Sequence, residues 1–105
     1  MIIYKNQITN EELEQKLNEQ NVVILDVRET EEYALEHIPG SVLIPLGQLE
    51  ERCNELSKDS EIYIICRSGG RSNEACHILQ ANGFTQVFNV LPGMINWHGA
   101  IDSDF

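Results

Sequence analysis

The sequence predicts an α/β fold built on a parallel sheet, and three observations carry that prediction. Short apolar runs rich in β-branched residues recur at 22–26 (VVILD), 42–44 (VLI), 62–66 (IYIIC) and 87–90 (VFNV); runs of this kind, bounded by polar residues, read as strands. The stretches between them are polar or amphipathic and read as helices, and strands joined by helical crossovers run parallel. The run at 62–65 is apolar on both faces, as a central strand covered on each side must be.

Taken in order, a first helix is expected from TNEELEQKLNEQ at 9–20. Thr9 and Glu12 have the spacing of a capping box there, and Leu13 and Leu17 fall one turn apart on a buried stripe. The strand at 22–26 is followed by a short helix at 29–36, the strand at 42–44 and a helix at 46–56. After the central strand, a helix at 72–81 is expected to stop at Gly83, which follows LQAN. The last strand, 87–90, leads into a short helix at 92–97. No internal repeat, low-complexity segment or linker interrupts this alternation.

A chain of 105 residues with 42% apolar content is long enough for one core and too short for two, so one domain over residues 1–105 is expected. No apolar run approaches the roughly 18 residues of a membrane span, and MIIYKNQITNEE lacks the features of a secretory signal. A soluble, cytoplasmic chain without membrane partners is therefore expected. Three cysteines, Cys53, Cys66 and Cys76, are an odd number and point to reduced thiols rather than a disulfide framework. A formal charge of −10 argues against nucleic acid as a partner, because phosphate backbones attract basic surfaces. Fourteen of the seventeen acidic residues lie between Glu11 and Glu61, whereas residues 62–101 hold only Glu74 against Arg67 and Arg71. Positive potential is thus expected near CRSGGRS at 66–72.

Cys66 stands at the carboxyl end of the central strand, where open α/β sheets bind ligands. Gly69 and Gly70 permit a tight turn with positive φ, after which Ser72 can cap a helix. Successive N–H groups then converge on one point, and with the helix N-terminus and two arginines they stabilise an anion. The same setting lowers a thiol pKa from about 8.5 into a range of roughly 3.5–7.5, so the first anion held is the Cys66 thiolate. The plainer alternative is a strand-end cysteine used for packing and a simple Gly-Gly turn; a simple turn has no need of flanking arginines.

Three segments together give the chain a family likeness. ILDVRETEEYALEHIPGSVLIPL at 24–46, IICRSGGRS at 64–72 and GFTQVFNVLPGMINWHGA at 83–100 resemble, in order and spacing, the signatures of the rhodanese family of sulfurtransferases. Pro92 stands where that family usually has the first of two glycines. The resemblance implies a single rhodanese-like domain, with a mainly parallel sheet of about five strands flanked by helices. It also implies a chemistry: Cys66 takes a sulfane sulfur from an anionic donor such as thiosulfate or a persulfide, holds it as a persulfide, and yields it to cyanide or a thiol. Bottom-up requirements agree, since nucleophile, donor and intermediate are all anionic and need donors around them. Arg67, Ser68, Gly69, Gly70, Arg71 and Ser72 would bind the substrate. Arg71 would close the ring on a sulfonate through its planar guanidinium, Arg67 would face outward and steer anions in, and Ser68 and Ser72 would bond the sulfur or cap the turn and the helix, capping being the favoured role for Ser72.

Two other functions compete with this reading. Phosphatases and arsenate reductases related to this fold use a cysteine-to-arginine loop with five intervening residues, whereas four separate Cys66 from Arg71. A non-catalytic rhodanese-like binding module is the other alternative, and such modules often lack the loop cysteine. Elsewhere the bland readings win. Asp26 and Arg28 read as a structural ion pair near the site. His37, His77 and His98 lack partners at metal-ligand spacing, so no metal and no cofactor is expected. Cys76, one turn before Leu79, and Cys53 read as core residues, and Trp97 as a lid over the core. Glu11, Glu12, Glu14, Glu29, Glu31 and Glu32 make a solvated acidic face by default, although a protein sulfur acceptor could dock there. A monomer is expected.

Overall fold

A computed structural model describes residues 6–105. Its sheet has five parallel strands, β1 Gln7–Thr9, β2 Val22–Asp26, β3 Val42–Leu43, β4 Glu61–Ile65 and β5 Val87–Leu91, in the order β1-β5-β4-β2-β3. The helices are α1 Asn10–Glu14, α2 Thr30–Leu35, α3 Leu46–Arg52 and α4 Gly70–Ala81, and single 3-10 turns follow at Cys53–Glu55 and Met94–Asn96. The α/β class is as expected.

Strand β4 shows why the apolar run had to be central. Ile62, Tyr63, Ile64 and Ile65 are all buried, and successive side chains alternate between two cores. Ile62, Ile64 and Cys66 pack with Leu49 of α3 and with Ala75, Cys76 and Leu79 of α4. Tyr63 and Ile65 face the other way, onto Leu13 of α1, Val90 and Met94, with Trp97 packed against that group. Cys53 and Cys76 are core residues, and Trp97 covers the second core, in line with the sequence reading.

Several boundaries differ from expectation. Strand β1 is absent from the sequence reading because three residues with little burial leave no periodic pattern; it forms by pairing with β5. The capping box of α1 is present, with Thr9 Oγ1 accepting from Glu12 N–H at 3.1 Å and Glu12 Oε1 from Thr9 N–H at 2.9 Å. The helix nevertheless ends at Glu14 rather than Gln20, and tighter turns follow, Lys16 N–H to Leu13 O and Glu19 N–H to Lys16 O. Past Leu13 only Leu17 contributes apolar packing, and a short helix without an apolar face has little to hold it. The expected helix at 46–56 divides into α3 and a 3-10 turn, and that at 92–97 shrinks to one 3-10 turn after Pro92. Helix α4 begins at Gly70, two residues early, with Gly69 as its cap. It ends as expected: Gly83 has φ +89°, and Phe84 N–H to Leu79 O with Gly83 N–H to Gln80 O complete a Schellman motif.

Candidate active site

The loop 66–72 leaves the carboxyl end of β4 and turns at once into α4. Its base is pinned by backbone bonds from the segment after β5, Met94 N–H to Cys66 O at 2.9 Å and Ile95 N–H to Arg67 O at 3.0 Å. At Gly69, φ is +98° and a Cβ would lie 2.4 Å from Leu91 Cδ2, so the turn needs glycine. Gly70 has no such requirement: its φ is not positive, and a Cβ would meet nothing within 4 Å.

The turn aims backbone donors at the sulfur. Cys66 Sγ accepts from Gly69 N–H at 3.1 Å and from Ser72 N–H at 3.3 Å. The Cys66 side chain is almost fully enclosed, with 1% exposure, so the sulfur forms the floor of the cradle. Burial pushes the thiol pKa up, but bonds from the Ser72 hydroxyl and the amides of Ser72, Gly69 and Ser68 outweigh it, and the pKa lies below the ordinary value of 9.0. The expected nest is thus present.

Ser72 takes the less favoured of its two expected roles. Instead of capping α4 it is fully buried, with its hydroxyl 3.3 Å from Cys66 Sγ and 2.5 Å from Asn89 Oδ1. Asn89 in turn donates from Nδ2 to Gly69 O at 3.3 Å. A hydroxyl has a single proton. While Cys66 is a thiol, its S–H donates to Ser72, and Ser72 donates to Asn89; once Cys66 ionises, the Ser72 proton is the one that can turn to the sulfur.

The arginines divide as well. Arg67 and Ser68 are exposed, as expected of Arg67. Arg71 is committed to an ion pair. Its NH1 and NH2 donate to Glu32 Oε1 and Oε2 at 2.7 and 3.0 Å, because α2 and the cysteine loop follow the carboxyl ends of the neighbouring strands β2 and β4. The Arg71 guanidinium, opposed by burial and helped by the Glu29 amide, holds the Glu32 carboxyl at about 2. One of the loop's two positive charges is therefore neutralised, and Glu32 is not part of a free acidic face.

Asn10, buried at the start of α1, clamps Gly93 from below: its Nδ2 donates to Gly93 O at 2.8 Å, and its Oδ1 accepts from Gly93 N–H at 3.0 Å. A Cβ on Gly93, where φ is +104°, would lie 2.5 Å from Cys66 O and 2.8 Å from Arg67 O. Sequence reasoning missed Asn10, Asn89, Gly93 and the role of Glu32. The one available signal was a polar residue inside the apolar run VFNVL, which in a central strand calls for a specific partner.

The other nominated residues lie outside the cradle. Asp26 and Arg28 form the expected buried ion pair, 2.8 Å from Arg28 NH2 to Asp26 Oδ2, and Arg28 also donates to Glu36 O at 2.7 Å. His37 stacks on Tyr33 with ring centroids 3.9 Å apart. Among the described residues no group of three or more His, Cys, Asp or Glu is placed to hold a metal, and no helix is long and apolar enough to cross a membrane. A pocket of about 480 Å³ lined by Cys53, Asn54, Leu56, Lys58, Asn82 and Phe84 shares no residue with the loop.

Comparison with known proteins supports the same reading. The rhodanese-like domain family profile matches residues 9–100. The chain is 51% identical over 94 residues to a Bacillus subtilis protein named "Putative sulfur carrier protein YrkF", covering 89% of this chain and 51% of that protein, so it spans about half the relative's length. It is 37% identical over 97 residues to an Allochromatium vinosum protein named sulfurtransferase, covering 90% and 91% of the two chains. The crystal structure of a rhodanese-like domain protein from Staphylococcus aureus superposes with a TM-score of 0.86 at 36% identity, covering 93% of this chain and 97% of that one. A cysteine cradled by amides at the end of a central parallel strand, a profile match over nearly the whole sequence and this shared architecture have one meaning: the chain belongs to the rhodanese-like domain family.

Proposed function

We propose that this chain is a sulfurtransferase that carries sulfane sulfur on Cys66. The observation that supports this most directly is the convergence of the Gly69 and Ser72 amides and the Ser72 hydroxyl on Cys66 Sγ. In the first half-reaction the Cys66 thiolate attacks the outer sulfur of a donor. With thiosulfate, the S–S bond of the donor breaks as the Sγ–S bond forms, and sulfite leaves with the electron pair. In the second, an acceptor thiolate or cyanide takes the outer sulfur and the Cys66 thiolate is restored, so the cycle needs no external oxidant or reductant.

The cradle suits this chemistry at both ends. Amides held in place by the fold stabilise the thiolate without reorganising. The amides of Gly70 and Arg71, in the first turn of α4, have no acceptor within the helix and are the donors nearest at hand for a persulfide's outer, anionic sulfur. Four residues between Cys66 and Arg71 make a ring sized for a sulfur atom rather than a tetrahedral oxyanion. The name of the Allochromatium vinosum relative agrees with the reading. A sulfur donor, a thiophilic acceptor and a monomer in the cytoplasm complete it.

Intact mass of the protein before and after thiosulfate tests the proposal, with Cys66→Ser in parallel and cyanide added last. Gain of one sulfur atom, absent in Cys66→Ser and removed by cyanide with thiocyanate formed, is the expected result. Undiminished gain in Cys66→Ser would remove Cys66 from the mechanism, and no gain from thiosulfate or from a thiol persulfide would defeat the sulfurtransferase reading.

A further inference from the structure

The cation that a sulfonate donor would need is already taken. Both terminal nitrogens of Arg71 are held by the two oxygens of Glu32 in the fork-to-fork geometry that a sulfonate would itself use. Glu32 is kept in place from two sides, since its Oε1 also accepts from Glu29 N–H at 3.0 Å within the first turn of α2. Glu29, Glu31 and Glu36 stand exposed on or beside the same short helix. Arg67 alone of the loop's cations is in no ion pair among the described residues. A dianion approaching Cys66 thus meets one neutralised arginine and the exposed Arg67, with the carboxylates of α2 beside the neutralised one. The backbone cradle at Sγ is unaffected by this pairing, because Gly69 and Ser72 supply it.

Resting on the sulfurtransferase reading, we propose that Glu32 determines donor specificity: by occupying Arg71 it closes the loop's anion anchor to free oxyanion donors and leaves the cradle to sulfur delivered as a thiol persulfide. Such a donor, R–S–SH, brings no sulfonate and needs no arginine fork. The Cys66 thiolate attacks its outer sulfur, the new Sγ–S bond forms as the donor's S–S bond breaks, and the departing thiolate RS− takes up the proton that the transferred sulfur sheds. A competing carboxylate is a weaker barrier than a missing arginine, so thiosulfate still reacts, slowly.

The test compares the wild-type chain with Glu32→Gln and with Glu31→Gln, which removes the same charge one residue away without touching Arg71. The first readout is binding of sulfate, at fixed ionic strength, followed by the amide NMR shifts of residues 67–72. The second is the rate of sulfur gain by intact mass from thiosulfate and from the persulfide of 2-mercaptoethanol. Loss of a half-exposed ion pair is expected to tighten sulfate binding and speed thiosulfate loading roughly fivefold in Glu32→Gln. Loading from the persulfide should change less than about twofold, and Glu31→Gln should resemble wild type. Equal sulfate affinity in wild type and Glu32→Gln overturns the proposal, as does an equal gain in both variants, which would make the effect one of overall charge. If no donor loads any of the proteins, the sulfurtransferase reading falls, and sulfate binding still decides whether Glu32 guards the anchor.

Discussion

Cys66, Ser72 and Asn89 form a chain in which one hydroxyl proton serves two acceptors in turn. This gives the two supporting residues opposite effects on the thiol. Ser72→Ala removes a donor to the thiolate and is expected to raise the Cys66 pKa. Asn89→Leu removes the competing acceptor, frees the Ser72 proton for the sulfur and is expected to lower it, at a cost of about 1 kcal/mol in stability for the lost bond to Gly69 O, which keeps Asn73 N–H at 3.1 Å. Thiolate absorbance against pH measures both, and upward shifts in both variants would show that Asn89 acts only by placing the loop. The lowered pKa also sets a sign for stability. Between the folded pKa and the ordinary value of 9.0, the unfolded chain binds more protons than the folded one, so stability rises with pH. The increment is complete above 9.0 and lost as pH falls through the folded pKa. Unfolding of wild type against Cys66→Ser across that range should show the increment only in wild type.

At the scale of elements, the cradle depends on a segment distant in sequence. The turn after β5 supports the cysteine loop through two backbone bonds and is itself clamped by Asn10 at the start of α1. Gly93→Ala forces a side chain against the Cys66 and Arg67 carbonyls at a positive φ and is expected to cost more than about 2 kcal/mol while sharply reducing sulfur loading. Asn10→Ala leaves the Gly93 N–H unpaired, while Gly93 O keeps Asn96 N–H at 3.2 Å, and is expected to cost about 2 kcal/mol, with a smaller loss of loading. Urea unfolding midpoints beside loading rates separate the two. Equal stability in Asn10→Ala and wild type would mean that solvent replaces the clamp. Strand β1 and the helix at 9–14 escaped accurate reading for a related reason: their extent is set by pairing with β5 and by contact with Met94 and Trp97, not by local pattern.

Across the whole molecule, the three thiols share one core on a single face of the sheet. Cys76 and Cys53 lie in that core on helix α4 and the turn after α3, whereas Cys66 stands at the strand end, where the Gly69 and Ser72 amides point at its sulfur. Cys76→Ala is accordingly expected to leave persulfide formation unchanged and to cost about 1 kcal/mol for the lost packing. A persulfide trapped on Cys66 in that variant would instead make Cys76 a resolving thiol. The charge separation seen along the sequence also changes meaning in three dimensions. The acidic first half and the basic loop meet at Glu32 and Arg71, thirty-nine residues apart in sequence.

The sequence by itself determined the fold class, the central strand and the place of Cys66 at that strand's carboxyl end. Each rests on local information: apolar runs of strand length, residues 62–65 apolar on both faces, and a cysteine followed by a glycine turn and a helix start. The tertiary structure decided the rest. Whether Ser72 caps a helix or bonds a sulfur depended on where Asn89 of β5 came to lie, and whether Arg71 faces an incoming anion depended on which helix followed the strand beside β4. Hydrogen bonds and ion pairs between residues 17 and 39 positions apart leave no periodic trace in a single chain, because only the order of strands in the sheet brings their partners together.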